Sequence, residues 1–340
     1  MTDETTTIWY TRCPVPTASG IALDTGRLAA SLSAAGLAVA PIQQAGLDEA
    51  HFDHRLPALF REGGNVPALW ARSRGERTRL VGLTWVPELQ AIVTRPGTGV
   101  TGLDDLRGRR LILPTHGGER VDFFRAMALR GFEAALRHAG LSLDDVRLVD
   151  APAPLPGTRD VGADGFYRAT VTALHAGLGD VAYVKGAPGA DVIARDGLVC
   201  LHDLTDTDDP RLQVNNGTPR TLTVSEDLLA RRPDVVARYI GALRQAARWA
   251  ATHPHDTARI VAAETGSTLA GVARAYGGAL HHRLEPELVP EWIDHLDDQK
   301  RFLLRHGVIP RDFEIGEWID PGPLAASDAY LSPETTEVIS

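Results

Sequence analysis

The sequence predicts an α/β protein whose two lobes face each other across a cleft. Its 340 residues are more than one comfortable core requires and fit two lobes of roughly 150 residues each. Over the first two thirds of the chain, short apolar runs alternate with helical patterns, which indicates parallel sheets covered by helices. The last third is mostly helical in pattern. Ligands of such folds bind in the crevice between the lobes.

The first lobe begins with a strand, a helix and a second strand. Residues 5–12 are β-branched and aromatic, and the prolines of Cys13-Pro14-Val15-Pro16 end this strand, so Cys13 lies at its carboxyl end. Residues 17–35 have the apolar spacing of one helix, and residues 37–42 read as a strand. The segment 51–64 predicts a polar loop with a turn and a glycine pair, followed by a helix at 65–73 and a strand at 78–85.

The second lobe is predicted to begin near residue 95. Further strands are expected at 111–114, 147–151, 180–184 and 198–201, with helices at 122–138 and 167–176. Residues 222–224 read as a strand that returns to the first lobe, and helices follow at 225–229, 233–253, 257–264, 269–276 and 290–306. The expected first lobe is therefore 1–95 plus 205–340, with a helical return, and the second is 96–204.

Composition and charge narrow the function classes. The formal net charge is −9, and the 35 lysines and arginines are scattered, which argues against a nucleic-acid partner. The first residues are polar and acidic, and no run of 18 apolar residues occurs, so we expect a cytoplasmic monomer without a membrane partner. Two cysteines are too few for a disulfide framework; a single bridge is neither excluded nor implied, and a reducing compartment is the better reading.

Cys13 is the most informative single residue of the sequence. A thiol at the end of a strand points into the predicted cleft, and the neighbouring Arg12 is placed to favour a thiolate nucleophile. The alternative is a small buried hydrophobic residue, because free cysteines are among the most buried residue types. Cys200, within an apolar run, is expected in the core. Spacing alone leaves both readings of Cys13 open.

Two histidines, His51 and His54, form a His-x-x-His pattern that is open to three readings. At helical spacing the pair has the form of half a zinc site, but no cysteine lies close by in sequence and Asp53 is the one acidic residue between the two histidines. As a base, a histidine that titrates near neutrality exchanges a proton with Cys13 if the fold brings the two together. The third reading is a solvated loop histidine.

The run Arg61-Glu62-Gly63-Gly64 combines a guanidinium with glycine N–H groups. Such a set suits an anion with two oxygens, and the alternative is a glycine pair that ends a helical turn beside a surface arginine. The sequence contains no G-x-G-x-x-G after a strand, no P-loop and no G-x-S-x-G elbow. Dinucleotide, nucleotide and serine-hydrolase functions therefore have no support.

Together these motifs resemble a known family. Tyr10-Thr11-Arg12-Cys13-Pro14-Val15-Pro16, then His51-Phe52 and Arg61-x-Gly63-Gly64, look like the signature of the hydroxybiphenyl-sulfinate desulfinase family of bacterial dibenzothiophene desulfurisation. Weaker matches at 78–83, 104–110, 144–146 and 301–304 extend the resemblance over nearly the whole chain. It implies a two-lobed, type II periplasmic-binding-protein-like fold with a central cleft.

The resemblance also implies a reaction and a set of residues. The reaction is cleavage of the C–S bond of an organic sulfinate, expected to be an aryl sulfinate. It releases sulfite and needs neither a cofactor nor a metal. Cys13 supplies the thiol, as nucleophile or as proton donor, His51 is its proton partner, and Arg61 with the Gly64 N–H holds the sulfinate oxygens. A planar guanidinium suits two oxygens that share one charge. The residues expected to contact the substrate are Gly63, Gly64, Phe52, Phe132 and Thr11.

Two other functions remain to be separated from desulfination. The same fold serves receptors for sulfonates, nitrate and aromatic acids, and a cytoplasmic anion-binding protein would use Arg61 and Gly64 without needing Cys13. The related pyrimidine-precursor synthase of thiamine biosynthesis carries a cysteine-rich iron motif that is absent here. His54 and Leu56 stand where the desulfinase family has polar and aromatic residues, so the expected hydrocarbon pocket differs from that of the family.

Overall fold

The apolar runs of the sequence form the strands of two sheets. A computed structural model describes residues 7–118, 120–153 and 162–331. Its strands are β1 (Thr7–Arg12), β2 (Ala38–Pro41), β3 (Leu59–Gly63), β4 (Thr78–Thr84), β5 (Gln90–Thr94), β6 (Arg110–His116), β7 (Arg147–Ala153), β8 (Val181–Lys185), β9 (Val199–Asp203) and β10 (Arg220–Ser225). Most of them are buried on both faces, as expected for sheets covered by helices.

Helices cover the sheets and form the last part of the chain. They are α1 (Ala18–Asp24), α2 (Arg27–Ser33), α3 (Ala50–Asp53), α4 (Asn65–Ser73), α5 (Phe123–His138), α6 (Gly162–His175), α7 (Gly186–Arg195), α8 (Pro210–Gln213), α9 (Glu226–Arg231), α10 (Pro233–Thr252), α11 (Pro254–Thr265), α12 (Leu269–Tyr276), α13 (Pro290–Arg305), α14 (Ile315–Trp318) and α15 (Gly322–Ala326). Within the described ranges, no helix is both long enough and apolar enough to cross a bilayer.

Each sheet has five strands, one of them antiparallel to both of its neighbours. The first sheet has the order β2-β1-β3-β10-β4, in which β1 runs parallel to β2 and β3, and β10 runs antiparallel to β3 and β4. The second has the order β7-β6-β8-β5-β9, in which β5 runs antiparallel to β8 and β9. The predicted return of the chain to the first lobe in β10 is confirmed.

The chain passes between the sheets twice, between β4 and β5 and again between β9 and β10. Strand β5 belongs to the second sheet, so the first passage comes before Gln90 rather than near residue 95. The division into a first lobe of 1–95 plus 205–340 and a second lobe of 96–204 stays a prediction. The position of β5 would move its first boundary from residue 95 to a point before Gln90. The cleft lies where the carboxyl ends of the parallel strands meet, as in other open α/β folds.

Several predicted elements differ from the structure. The single helix expected at 17–35 is two helices, because Gly26 adopts a left-handed conformation (φ 71°) between α1 and α2. The expected loop at 51–64 contains the short helix α3 and the fully buried strand β3. Cys200 is exposed rather than in the core, because β9 is an edge strand of the second sheet.

Candidate active site

Strand pairing places Cys13 at the edge of the cleft. Arg12, the last residue of β1, pairs with Glu62 of β3, so Cys13 lies beside Gly63 and its N–H donates to the Glu62 carbonyl at 3.1 Å. Both strands end at the same edge of the sheet because they are parallel. The Cys13 thiol is half-buried, the Cys200 thiol is exposed, and neither forms a disulfide.

Three nitrogen atoms surround the Cys13 sulfur. Its Sγ lies 3.3 Å from the Gly64 backbone nitrogen, 3.4 Å from Arg61 Nη2 and 3.6 Å from His51 Nε2. The backbone N–H and the guanidinium can only donate, so both stabilise negative charge on the sulfur. The three groups that the sequence singled out therefore meet at one atom.

Arg61 is a buried cation that lacks a carboxylate partner. Its side chain is 1 % exposed; Nε donates to the His51 carbonyl at 3.0 Å and Nη1 donates to the Gly64 carbonyl at 2.9 Å. Within the part of the chain that the structure describes, no acidic group lies within ion-pair distance of it. Burial lowers the pKa of Arg61, and the interaction with Cys13 opposes this shift. The counter-charge must come from the sulfur or from a bound anion.

The same contacts change the way in which Arg61 was expected to hold two oxygens of a sulfinate. Because the Nε and Nη1 atoms of Arg61 already donate to main-chain carbonyls, the guanidinium does not present a free two-nitrogen fork to the cleft. Arg61 lies behind the sulfur and is absent from the residues that line the cavity. Its Nη2 atom is directed toward Cys13 Sγ, so Arg61 acts on an anion in the cavity through its charge and through the sulfur, whereas the Gly64 N–H lines the cavity itself.

His51 is held as a neutral imidazole. Its Nδ1 atom lies 2.7 Å from the hydroxyl oxygen of Thr11, which is itself buried and does not line the cavity. Burial first, then the charge of Arg61 and a contribution from His54, keep the pKa of His51 well below its usual value. A Thr11 hydroxyl that donates to Nδ1 leaves the single imidazole proton on Nε2, which faces the sulfur.

Gly63 makes room for the thiol and does not line the cavity. Its φ of 147° lies in a region that favours glycine, and a Cβ atom at this position would lie 2.5 Å from Cys13 Sγ. Gly64 does line the cavity, and its N–H reaches the sulfur directly. The two glycines therefore differ in role: one permits the close approach of β3 to Cys13, and the other offers a donor.

Arg12 is directed away from the thiol that it was expected to activate. Its Nε donates to the Glu264 carboxylate of α11, which is nearly buried. Burial, only partly opposed by Arg12, raises the pKa of Glu264 to about 7. The Arg12–Glu264 pair joins the first strand to the helical part of the chain, and Arg12 still contributes to the cavity wall.

An aromatic cavity opens beside the sulfur. It lies between the two sheets, and about 930 Å³ of space, part of it open to solvent, lies within its walls. The apolar side chains that line it next to Cys13 are Phe52, Phe123, Phe124, Met127 and Phe166. The rings of Phe52 from the first lobe and Phe123 from the second are stacked at 6.2 Å, so the cavity is bounded by both lobes. Such a lining suits an aryl group.

Phe132 does not contribute to this lining. We expected it at the substrate, but its side chain is fully buried in the second lobe, edge-on to Tyr183 at 6.4 Å. It lies on the face of α5 that packs on the second sheet, whereas Phe123 and Phe124 begin the same helix at the cleft edge. Their position directly after the β6 segment was the sequence signal for the correct aromatic residues.

The opposite wall of the cavity carries charges that sequence reasoning missed. Glu88 forms ion pairs with Lys185 and, at 3.0 Å, with Arg220. We call these three residues the charged corner. Glu88 and Lys185 line the cavity, together with Tyr167, Tyr276 and Gly217. Nothing in the local sequence marks the three residues of the charged corner, because they lie on three separate segments and share no motif.

His54 lies apart from the thiol. It is buried beneath Arg61 in a small pocket, with an unpartnered Nε2 atom, and burial lowers its pKa well below the usual value. Its φ of 58° turns the chain at the end of α3, so His51 and His54 face different surroundings. In the described residues, no three His, Cys, Asp or Glu side chains are grouped as ligands for a metal ion.

Comparison with known proteins identifies relatives over nearly the whole chain. A family model described as "NMT1/THI5 like" matches residues 66–257. The 2'-hydroxybiphenyl-2-sulfinate desulfinases of Rhodococcus erythropolis and Rhodococcus qingshengii are each 30% identical over 347 aligned residues, which cover 93% of this chain and 92% of each relative.

Solved structures agree with these relatives. The crystal structures of the desulfurization enzyme DSZB, and of its cysteine-to-serine mutant in complex with biphenyl-2-sulfinic acid, superpose with a TM-score of 0.75. They are 26% identical and cover 95% of this chain and 99% of theirs. The periplasmic aliphatic sulphonate binding protein SsuA of Escherichia coli has a TM-score of 0.68 at 12% identity, covering 93% of this chain and 92% of its own, which shows a shared fold. The predicted two-lobed, periplasmic-binding-protein-like fold is confirmed.

Proposed function

The chain belongs to the NMT1/THI5-like family and to the family of the 2'-hydroxybiphenyl-2-sulfinate desulfinases, and we propose that it cleaves the C–S bond of an aryl sulfinate and releases sulfite. The net reaction is a hydrolysis in which the sulfinate and one water give the arene and hydrogen sulfite. The relatives named above supply the reaction class, and the aromatic cavity supports an aryl substrate.

One observation carries the proposal. The Cys13 sulfur, at the wall of the cavity, meets a guanidinium, a main-chain N–H and an imidazole within 3.6 Å. A receptor that only holds an anion needs the two donors, but it does not need a thiol between them. The solved complex of a related desulfurization enzyme with biphenyl-2-sulfinic acid was obtained with a cysteine replaced by serine, which agrees with a role for the thiol.

Electrostatics explain why the sulfinate would bind at this point. Arg61 is fully buried, no carboxylate of the described residues pairs with it, and an anion placed in the cavity beside Cys13 and the Gly64 N–H supplies the missing charge. The apolar lining excludes water from the aryl group and strengthens these interactions. The negative charge that builds up on the departing SO₂ group or on the thiolate is stabilised by the same two donors.

Two routes through Cys13 give the same products. In the first, the thiol protonates the ring carbon, SO₂ leaves and adds water to give hydrogen sulfite, and the released proton restores the thiol. In the second, the thiolate attacks the sulfinate sulfur, the ring carbon takes a proton as the C–S bond breaks, and water hydrolyses the resulting Cys13–S–SO₂⁻ group. In both routes the Nε2–H of neutral His51 faces the sulfur, so His51 donates to the thiolate and returns a proton to it as the cycle closes, while Nδ1 takes up a replacement proton. Mass spectrometry of acid-quenched enzyme distinguishes them, since only the second adds SO₂ to Cys13.

The decisive experiment measures sulfite release from benzenesulfinate and biphenyl-2-sulfinate. We expect Cys13→Ser to reduce kcat/KM by a factor on the order of 10³ or more, as loss of the reacting group does in other enzymes. Cys200→Ser is the matched control, because this second cysteine is exposed on an edge strand and should leave the rate unchanged. Binding of both sulfinates without sulfite release by the native protein would instead establish an anion-binding protein.

Three narrower expectations belong to the proposal. The enzyme acts without a bound cofactor, it acts as a monomer, and it acts in the cytoplasm. Sulfite release by metal-free protein, sedimentation of the purified chain and fractionation of cells test them in turn.

A further inference from the structure

We propose that the charged corner binds a carboxylate of the substrate, so that the preferred substrates are aryl sulfinates that carry a second acidic group. This inference rests on the proposed function, because it assigns the organic part of the same sulfinate. It concerns Glu88 and Lys185, which line the cavity, and Arg220, which is buried behind Glu88.

The charged corner holds two cations and only one carboxylate. Lys185 Nζ pairs with Glu88 Oε1, and Arg220 Nη2 donates to Glu88 Oε2 at 3.0 Å. Lys185 is 8 % exposed, and the side chains of the other two are fully buried. Among the residues that the structure describes, no other acidic group lies within 4.0 Å of either cation, and Arg220 Nε and Nη1 are buried without partners.

Two cations and one carboxylate leave one positive charge in excess only if Glu88 is ionised, and its surroundings favour the ionised form. Burial alone would raise its pKa, but Lys185 and then Arg220 outweigh burial and hold the pKa of Glu88 below its usual value. Glu62, the further buried carboxyl that interacts with Arg220, has its pKa raised by burial, which favours its neutral form. The three residues of the corner therefore carry one excess positive charge in a poorly hydrated place. Such a charge is costly without a partner, and an anion that enters the cavity beside Lys185 offsets that cost.

A helix adds to the positive potential at the same point. Helix α7 begins at Gly186, directly after Lys185, and both Gly186 and Pro188 line the cavity. The start of a helix carries partial positive charge, and here only this field contributes, because the Gly186 and Ala187 N–H groups already donate to the Leu89 carbonyl and the Tyr276 hydroxyl. The ammonium of Lys185 and the start of α7 thus face the cavity from one side, whereas the Phe side chains cover the middle.

A continuous wall connects this corner to the sulfur. Gly217 packs against both Glu88 and Lys185, and a Cβ atom there would lie 2.6 Å from Lys185 Nζ. The preceding residue, Asn216, packs against Gly64 closely enough that a Cβ on Gly64 would lie 2.5 Å from its amide nitrogen. Gly64 in turn donates to the Cys13 sulfur. The corner and the sulfur therefore line one cavity, and an aryl sulfinate with a second acidic group is the substrate that would use both.

The test compares binding in the Cys13→Ser variant, so that no turnover occurs. Calorimetry measures Kd for benzenesulfinate and for its 2-, 3- and 4-carboxy derivatives. We expect the best carboxylated isomer to bind at least about tenfold more tightly than benzenesulfinate, in keeping with a hydrogen bond between charged groups. Adding Lys185→Met should bring this ratio close to one, because Glu88 and Arg220 then form a neutral pair.

Two further variants keep the test decisive. Arg147→Met removes the same charge from an exposed position at the far end of β7, and it should leave the ratio unchanged. Glu88→Gln adds positive charge to the corner and should increase the ratio, so the inference stays open to refutation even if Lys185→Met fails to fold. The inference is overturned if no isomer exceeds benzenesulfinate, or if the preference survives Lys185→Met or falls in Glu88→Gln.

Sulfite release by the native protein, measured with the same four compounds, separates this inference from the proposed function. Sulfite from benzenesulfinate without any preference for a carboxylated isomer leaves desulfination intact and overturns the carboxylate site. Tight binding that depends on Lys185, without sulfite from any compound, supports the carboxylate site and overturns the desulfinase assignment.

Discussion

The two ends of the cavity hold buried cations in different ways. At the sulfur end, Arg61 donates to two main-chain carbonyls and to Cys13, and no carboxylate of the described residues pairs with it. At the charged corner, Lys185 and Arg220 share the carboxylate of Glu88. Because no carboxylate of the described residues neutralises Arg61, its positive charge stabilises negative charge on the sulfur or on the ligand, which favours the reaction at Cys13. Lys185 and Arg220 are partly neutralised by Glu88, so their remaining charge favours ligands that carry an acidic group over ligands that do not.

The largest effect should come from removing the unpaired cation. Arg61→Met deletes the donor to the sulfur and leaves the carbonyls of His51 and Gly64 without partners, so we expect kcat/KM for sulfite release to fall about 10³-fold. Arg61→Lys should recover little, because one ammonium cannot reach both carbonyls and the sulfur in the geometry of a planar guanidinium. Steady-state sulfite assays measure both variants.

Arg147→Met serves as the control here too, since it removes an exposed arginine from the other lobe. Circular dichroism and urea unfolding establish that each variant is folded before its rate is compared. Native kinetics in folded Arg61→Lys would show that the guanidinium geometry is unimportant, and the contrast between the two ends of the cavity would then lose its basis.

A smaller effect should follow from crowding the sulfur without changing any charge. In Gly63→Ala, the added Cβ would lie 2.5 Å from Cys13 Sγ at a φ of 147°, so strand or thiol must move. We expect a loss of about 3 kcal/mol in the free energy of unfolding, from strain and overpacking together, and slower alkylation of Cys13. Urea unfolding and iodoacetamide labelling measure these changes.

Gly108→Ala is the matched variant for Gly63→Ala. It also has a positive φ, of 75°, but its added Cβ would meet nothing within 4 Å, so only the backbone strain of about 1 kcal/mol remains. Equal losses in the two variants would mean that the approach of β3 to Cys13 is not close, contrary to the geometry at the sulfur end.

The sequence predicted the architecture where the pattern was apolar and failed where buried residues were polar. Helix α4 and the strands β1 and β4 lie close to their predicted positions, because hydrophobic period and turn residues agree there. Strand β3 was read as a loop, since Arg61, Glu62 and Gly63 are typical of surface turns. They are buried because Arg61 is partnered by carbonyls and the sulfur, and Glu62 accepts from the N–H groups that begin α1. Functional sites are where local sequence rules are expected to fail.

The sulfur end was predictable and the charged corner was not. Cys13, His51 and Arg61 stand in short motifs that resemble one family, so their meeting could be expected before the fold was known. Glu88 and Lys185 are 97 positions apart, in the first passage between the sheets and at the end of β8, and no motif joins them. Phe132 was expected at the substrate and Phe123 was not, because a helix pattern does not reveal which aromatic residue faces the cleft.

The smallest effect we predict is a loss of stability in acid, because two histidines at the sulfur end, His51 and His54, have their pKa values lowered by burial. Burial holds the pKa values of His51 and His54 well below those of the unfolded chain, so the folded protein keeps both neutral while the unfolded chain takes up protons below about pH 6.5. The free energy of unfolding should therefore be insensitive to these groups above that pH and fall below it, by up to about 1.4 kcal/mol per pH unit for each histidine. His54→Asn removes one of the two and suits the left-handed φ of 58°. Urea unfolding between pH 7.5 and 5.5 should give a shallower slope for this variant and an unchanged slope for the exposed control His255→Asn; equal slopes in all three proteins would show that His54 is not held neutral by its burial.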